Sequence, residues 1–135
     1  MEISKSFEFA MAHRLPYHPK CRNVHGHNIK FEVFIEGKTQ SNGMVLDFAE
    51  LDRIVKEEIV SEWDHAWLFN VRDEPTKEAL EILKQHFPVK AVGFPWHITS
   101  ENLAKYIYDR LRAAHLNVSK VVLWESSSSK VVYKG

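Results

Sequence analysis

The sequence has a single cysteine among its 135 residues and no excess of either charge, with 18 basic and 18 acidic side chains. One cysteine cannot form an internal disulfide, which fits a reducing compartment. Balanced charge argues against a nucleic-acid-binding protein, because such a protein needs a basic surface to neutralise phosphates. No apolar run is long enough to span a bilayer, and the first residues lack the features of a signal peptide. We therefore expect a cytoplasmic protein that binds neither nucleic acid nor membrane.

Four segments have the pattern of β-strands. Apolar and polar residues alternate over residues 2–13 and 27–37, which is the period of a half-buried strand. Near the end of the chain, the apolar runs 121–124 and 131–133 are joined by a serine-rich stretch, which predicts a hairpin. These segments predict an antiparallel sheet of four strands.

Helical signals lie between the two strand pairs. Residues 47–50 have the spacing of a capping box and precede apolar residues at helical intervals. A second helix is expected from about Thr99, and a shorter one over residues 75–86. The order predicts one α+β domain, residues 1–135, with helices on one face of the sheet. Two free sheet edges would favour oligomerisation.

Three histidines are placed to share a metal ion. His25 and His27 are two residues apart at the start of a strand, so both point to the same face, about 7 Å apart. Gly26 between them lets another backbone approach closely. His13 ends the first strand, in phase with that strand's apolar residues, so pairing of the strands would bring all three imidazoles together. Three neutral nitrogen donors suit Zn²⁺ and leave a fourth position open, as in catalytic sites.

Alternatives to this reading remain open. With eight histidines in the chain, a His-x-His pair arises readily by chance. Cys21 could also be the fourth ligand of a purely structural site. The remaining histidines have no partner at ligand spacing and are expected at the surface or in ordinary hydrogen bonds. They are His18, His86, His97 and His115, with His65 considered separately.

Other side chains could carry out proton transfer. Cys21 lies four residues before His25, beside Arg22, and a thiolate near a cation can act as base or nucleophile. An inert buried thiol is the alternative. Asp64 and His65 are adjacent within an apolar stretch and can form an acid–imidazole pair, although sequence neighbours need not hydrogen-bond.

Two glutamates could bind a ligand. Glu125 ends an apolar strand and is either a solvated strand end or a hydrogen-bond acceptor for a substrate. Glu101 lies in the first turn of a predicted helix, where a negative charge is favourable. It could also line a pocket.

Taken together, these features resemble the 6-pyruvoyl-tetrahydropterin synthase family. The similar segments are residues 9–13, 21–27, 43–48, 63–65, 99–104 and 124–125. They follow the family order over nearly the whole chain. No one segment is decisive, but their joint occurrence is specific.

The resemblance implies the tunnelling fold (T-fold), in which subunits join their sheets into a barrel and active sites form between chains. It makes the three histidines zinc ligands and Cys21 the catalytic base. Asp64 and His65 would relay protons. Glu125 would anchor a pterin, and Glu101 would help to line the pocket.

The substrate implied by the resemblance is 7,8-dihydroneopterin triphosphate. Three residues separate Cys21 from His25, which is similar to the bacterial queuosine-pathway branch that forms 6-carboxytetrahydropterin, acetaldehyde and triphosphate. The alternative branch forms 6-pyruvoyltetrahydropterin. A non-catalytic zinc-binding module and a zinc hydrolase are further alternatives. Two departures from the family pattern are a longer segment at residues 71–97 and Ile98 in place of the usual proline.

Overall fold

The computed structural model describes residues 1–135. The elements in chain order are β1 (Glu2–His13), β2 (His25–Glu36), α1 (Phe48–Val55), a π-helical segment (Lys56–Val60), α2 (Ser61–Trp63), β3 (Ala66–Asn70), α3 (Glu74–Lys84), β4 (Ala91–Phe94), α4 (Ser100–Ala113), β5 (Val118–Trp124) and β6 (Lys130–Tyr133). No helix has the length and apolar character needed to cross a membrane.

The strands form one sheet in the order β4-β3-β1-β2-β5-β6. The four predicted strands β1, β2, β5 and β6 pair antiparallel, as expected. The sheet nevertheless has six strands and not four, because β3 joins β1 and β4 joins β3, both in parallel. These two strands are short, and a short continuous apolar run such as residues 66–69 does not reveal by periodicity whether it is strand or helix.

The pairing of β1 with β3 is limited to Met11 and Ala12. On this edge of the sheet, the residues of β1 before Met11 have no partner strand within the chain. At the other end of the sheet, β6 pairs only with β5 and leaves its outer edge free. Unpaired edges of this kind are where another chain can add its strands.

The core lies between one face of the sheet and the helices α1 and α4. Side chains at alternate positions of the two central strands are buried, whereas their neighbours face the other side, as the period of two requires. The buried residues are Phe7, Phe9 and Met11 of β1, Ile29, Phe31, Val33 and Ile35 of β2, Leu51 and Val55 of α1, and Leu103, Ile107 and Leu111 of α4. His13 continues the buried phase of β1 and is 2% exposed.

The predicted helices are present, with caps at the expected residues. The Asp47 carboxylate accepts the Ala49 N–H at the start of α1, and the Thr99 hydroxyl accepts the Asn102 N–H at the start of α4. The helix expected over residues 75–86 spans Glu74–Lys84 and has a proline in its first turn. Capping at Thr99 fixes where α4 begins, one residue after Ile98, whose carbonyl contacts His13.

Candidate metal centre and adjoining cleft

His13, His25 and His27 meet at one end of the sheet. Antiparallel pairing places His13 opposite His25 and Met11 opposite His27. One ligand atom from each imidazole lies within 4.8 Å of the others. The strand phases therefore bring the three predicted ligands together, and the group can hold a metal ion.

Hydrogen bonds to main-chain carbonyls fix the tautomers of two of these rings. His13 Nδ1 is 2.8 Å from the Ile98 carbonyl oxygen, and His25 Nδ1 is 2.7 Å from the Asn23 carbonyl oxygen. A carbonyl oxygen only accepts, so each Nδ1 carries the hydrogen and each neutral ring leaves Nε2 bare. Metal-ligating histidines are held in this way, because the second nitrogen orients the ring.

The three Nε2 atoms lack hydrogen-bond donors. The bare Nε2 atoms of His13 and His25 are 3.1 Å apart. His27 Nε2 is buried and has no hydrogen-bond partner. Nitrogen ligands of tetrahedral Zn²⁺ lie about 3.3 Å from one another, given the usual Zn–N bond length. The three imidazoles and the spacing of their ligand atoms therefore fit a zinc ion.

The surroundings favour the neutral form of two of the rings. Burial lowers the pKa of His13, and the neighbouring imidazoles lower it further, although the bond to the Ile98 carbonyl opposes them. Burial also lowers the pKa of His27, opposed in part by the Glu125 carboxylate. Neutral imidazole is the form that coordinates metals.

Cys21 lies beside the centre but outside its ligand set. The half-buried thiol belongs to the loop between β1 and β2 and lines a small cleft together with His25. The donor group that can share one ion contains the three histidines and does not include Cys21. This geometry disfavours the alternative of a four-ligand structural site.

Asp64 and His65 form the pair that their sequence suggested. His65 Nδ1 is 3.0 Å from Asp64 Oδ1, and the same carboxylate oxygen accepts the Ala10 N–H at 3.0 Å. The Ala10 N–H lowers the pKa of Asp64, and His65 adds to the effect. His65 has a positive φ of 61°, and its side chain is 81% exposed. No hydrogen bond or ion pair within the chain joins this dyad to the three histidines.

Glu101 and Glu125 line the same cleft, which has a volume of about 350 Å³. Glu125 Oε1 lies 3.9 Å from His27 Nε2, and Glu125 Oε2 accepts the Ser100 hydroxyl hydrogen at 2.8 Å. Helix α4 supplies Ser100 and Glu101 from its first turn, and β5 delivers Glu125 from its end. The cleft therefore adjoins the metal centre through the contact between Glu125 and His27.

Sequence reasoning missed three contributors to the site. The Ile98 carbonyl holds His13, but a main-chain atom leaves no signature in residue types. Ser100 holds Glu125, and only its place at the start of α4 hinted at a role. Tyr17 lines the cleft and stacks edge-on against His97, with ring centroids 4.8 Å apart.

A six-stranded sheet with four antiparallel strands, packed on one face against two helices, is the architecture of the tunnelling-fold class. The family model described as 6-pyruvoyl tetrahydropterin synthase matches residues 2–135. The chain therefore belongs to the 6-pyruvoyl tetrahydropterin synthase family.

One curated relative and two solved structures are similar to the chain. The chain is 37% identical to a 6-carboxy-5,6,7,8-tetrahydropterin synthase from Haemophilus influenzae, with 98% of each chain covered. Its structure is similar to that of an uncharacterized protein from Wolinella succinogenes, with a TM-score of 0.84, 24% identity, and 100% and 98% of the two chains covered. It also resembles 6-pyruvoyl tetrahydropterin synthase from Caenorhabditis elegans, with a TM-score of 0.72, 25% identity, and 100% and 95% coverage.

Proposed function

We propose that the chain is a zinc-dependent 6-carboxy-5,6,7,8-tetrahydropterin synthase that converts 7,8-dihydroneopterin triphosphate into 6-carboxytetrahydropterin, acetaldehyde and triphosphate. The observation that carries this proposal is the 3.9 Å approach of Glu125 to His27. This contact supports the proposal, because a carboxylate that can hydrogen-bond to a pterin would then lie beside the ion that the three histidines could hold. A substrate held by its ring in the cleft would therefore extend its side chain toward the histidines.

Glu125 is suited to bind the pterin ring. A carboxylate accepts two parallel hydrogen bonds, and the aminopyrimidinone edge of a pterin offers adjacent N–H donors. The Ser100 hydroxyl donates to Glu125 Oε2 and fixes the orientation of the carboxylate. Glu101 lines the same cleft and can accept a further hydrogen bond.

The three histidines are suited to hold Zn²⁺ against the substrate side chain. Zinc bound there supplies Lewis-acid polarisation of the side-chain hydroxyl groups. The carbonyls of Ile98 and Asn23 keep His13 and His25 in the tautomer that presents Nε2. The open fourth position is what separates this donor set from a structural zinc site.

Cys21 is proposed as the base that removes a proton from the substrate side chain. It is the only cysteine of the chain and shares a cleft with the ligand His25. A thiol beside a cation readily supplies the thiolate that such a step needs.

Asp64 and His65 are proposed to complete the site from another copy of the chain. The His65 imidazole is exposed, and Asp64 holds it through Nδ1, so Nε2 is free to exchange a proton outside the chain. The dyad lies at the edge of β1, where the adjoining part of the strand has no partner within the chain. Edge pairing with a neighbouring subunit would bring a second chain against this surface.

The proposal favours the carboxy product over the pyruvoyl product. The Haemophilus influenzae relative with the carboxy name is 37% identical over 98% of the chain, whereas the Dictyostelium discoideum relative with the pyruvoyl name is 31% identical over 86% of the chain. The three-residue spacing between Cys21 and His25 agrees with this preference. The pyruvoyl synthase is the second candidate.

The test is to incubate zinc-loaded protein with 7,8-dihydroneopterin triphosphate and to identify the products by mass spectrometry. Release of acetaldehyde together with 6-carboxytetrahydropterin would support the proposal. Formation of 6-pyruvoyltetrahydropterin would select the second candidate. No turnover by protein that binds one zinc ion per chain would refute both.

A Cys21→Ala variant separates catalysis from metal binding. We expect it to keep its zinc and to lose most of its turnover, because the proposed base is removed while the ligands remain. Zinc loss in this variant would instead favour the non-catalytic zinc module, in which the thiol is a structural ligand.

A further inference from the structure

The loop that joins β1 to β2 folds back on itself around Cys21. The Leu15 carbonyl accepts the His18 N–H at 3.0 Å, closing a turn with Pro16 at its second position, which is favourable for proline. The Leu15 N–H donates to the Cys21 carbonyl at 2.8 Å. These bonds fix the course of the main chain but leave the Cys21 N–H without a main-chain acceptor.

The His18 side chain supplies that acceptor. Its Nδ1 lies 2.9 Å from the Cys21 nitrogen and 3.2 Å from the Lys20 nitrogen. Main-chain N–H groups only donate, so this Nδ1 must be bare and must accept from both. No other side chain hydrogen-bonds to Cys21. His18 is exposed and takes no part in the three-histidine centre.

The same loop also determines the position of a metal ligand. The Lys20 carbonyl accepts the Asn23 side-chain N–H at 2.9 Å. The Asn23 carbonyl in turn accepts the His25 Nδ1–H at 2.7 Å. His18 therefore holds one end of a hydrogen-bonded segment that contains Cys21 and leads to His25.

We propose that His18 is a positioning residue that holds the main chain of Cys21 so that its thiol faces the substrate. This inference rests on the proposed function in one respect, namely the role of Cys21 as the base. His18 itself touches neither substrate nor metal and acts only through the two N–H groups that it accepts. His18, which is exposed and has no partner at metal-ligand spacing, thus contributes to the reaction through the position of Cys21.

Two substitutions of His18 distinguish positioning from a general structural role. His18→Ala removes the acceptor, whereas His18→Asn keeps one, because the asparagine Oδ1 is as many bonds from the main chain as the histidine Nδ1. His86→Ala is the matched control, since His86 is also exposed and its ring makes no hydrogen bond. The measurements are kcat, KM and zinc content, together with the rate at which iodoacetamide alkylates zinc-loaded protein. That rate reports on Cys21 alone, because the chain has no other cysteine.

We expect His18→Ala to lower kcat about 10- to 100-fold with little change in KM, as misplacement of a reacting group does. The alkylation rate should rise on the order of several-fold, because a loop that opens more often exposes the partly buried Cys21 thiol to the reagent. His18→Asn should restore both values, and His86→Ala should change neither. Zinc content should remain the same in all variants, because the Asn23–Lys20 and His25–Asn23 hydrogen bonds that orient His25 do not involve the His18 side chain.

Two results would overturn the inference. One is a His18→Ala protein whose turnover and alkylation rate match the wild type. The other is a His18→Asn protein as impaired as His18→Ala, which would show that the imidazole does something other than accept these two N–H groups. If the wild type has no pterin synthase activity, the proposed function fails, and the alkylation rates of the variants still decide whether His18 holds Cys21.

Discussion

His13 and His25 point bare Nε2 atoms at each other across 3.1 Å, while each ring donates its Nδ1–H to a main-chain carbonyl. When both rings are neutral, the two Nε2 lone pairs repel each other, and neither ring can turn without losing its carbonyl bond. A shared cation would convert the repulsion into two bonds. The fold thus keeps an unfavourable contact that metal binding would relieve, and the ion should stabilise the folded state.

Removing one ligand should abolish tight zinc binding. We expect His27→Ala to weaken zinc affinity by more than about 100-fold. Loss of a residue that only hydrogen-bonds to a metal ligand already weakens affinity by up to that factor, and His27 would be a ligand itself. Zinc should raise the melting temperature of the wild type but not of the variant. The measurements are metal analysis after dialysis and thermal unfolding with and without zinc. His86→Ala should behave as the wild type, and equal zinc content in His27→Ala would contradict the ligand assignment.

The metal-free protein should lose stability as the pH falls below about 6.5, the ordinary pKa of histidine. Burial lowers the pKa values of His13 and His27 in the folded state. Above about pH 6.5, His13 and His27 are neutral in both the folded and the unfolded chain, so they do not make the stability depend on pH. Between that pH and the lowered folded values, the unfolded chain takes up protons first, so unfolding is favoured.

Thermal unfolding of metal-free protein across pH 5 to 8 is the measurement for this prediction, with the range chosen to bracket the ordinary pKa. The His13→Gln variant should show a weaker fall in melting temperature toward low pH, because glutamine does not titrate. A melting temperature in the wild type that is flat across this range would contradict the prediction.

The sequence predicted the arrangement of the metal centre because that arrangement follows from local rules. Because side chains alternate along β2, His27 lies on the same face as the buried Ile29 and Phe31. The sequence alone therefore predicted that His27 points inward. The register between β1 and β2 then brings His13 opposite His25. The alternation of side chains along a strand and the pairing of β1 with β2 were sufficient to predict that the three histidines meet.

Other parts of the fold depend on contacts that no local pattern encodes. The His13 ring is held by the carbonyl of Ile98, which is 85 residues away. Strand β3 was missed because Trp67, Leu68 and Phe69 form a continuous apolar run without alternation. Strand β4 has only four residues and exists because β3 offers it an edge.

Gly26 should resist substitution although its backbone is ordinary. A Cβ built on Gly26 would lie 3.0 Å from the main-chain carbonyl oxygen of Met11 on the paired strand. Relieving this contact requires the two strands to move apart between His25 and His27. We expect Gly26→Ala to destabilise the protein by about 1–3 kcal/mol, as overpacking does, and to weaken zinc binding.

Gly37→Ala is the control for this effect. A Cβ on Gly37 would meet only the Val45 side chain, at 3.2 Å, and no main-chain atom, away from the three histidines. Its effects on chemical denaturation and on zinc affinity should be small. If Gly26→Ala were as well tolerated as Gly37→Ala, close strand approach would not be needed to form the centre.

Mixing two inactive variants should restore activity if the site is shared between chains. Cys21→Ala lacks the proposed base and His65→Ala lacks the proposed relay, so each alone should have little turnover. The exposed dyad of Asp64 and His65 makes no hydrogen bond or ion pair with the histidine centre within its own chain, which motivates the proposal that a second chain brings the dyad to the site. Unfolding and refolding an equal mixture should give oligomers in which about a quarter of the sites have both intact residues, with proportional activity. Mixing without refolding is the control and should recover less, because already assembled oligomers keep subunits of one variant until they exchange. If refolded mixtures stay inactive while refolded wild type is active, both residues must act within one chain, because each variant chain lacks one of them.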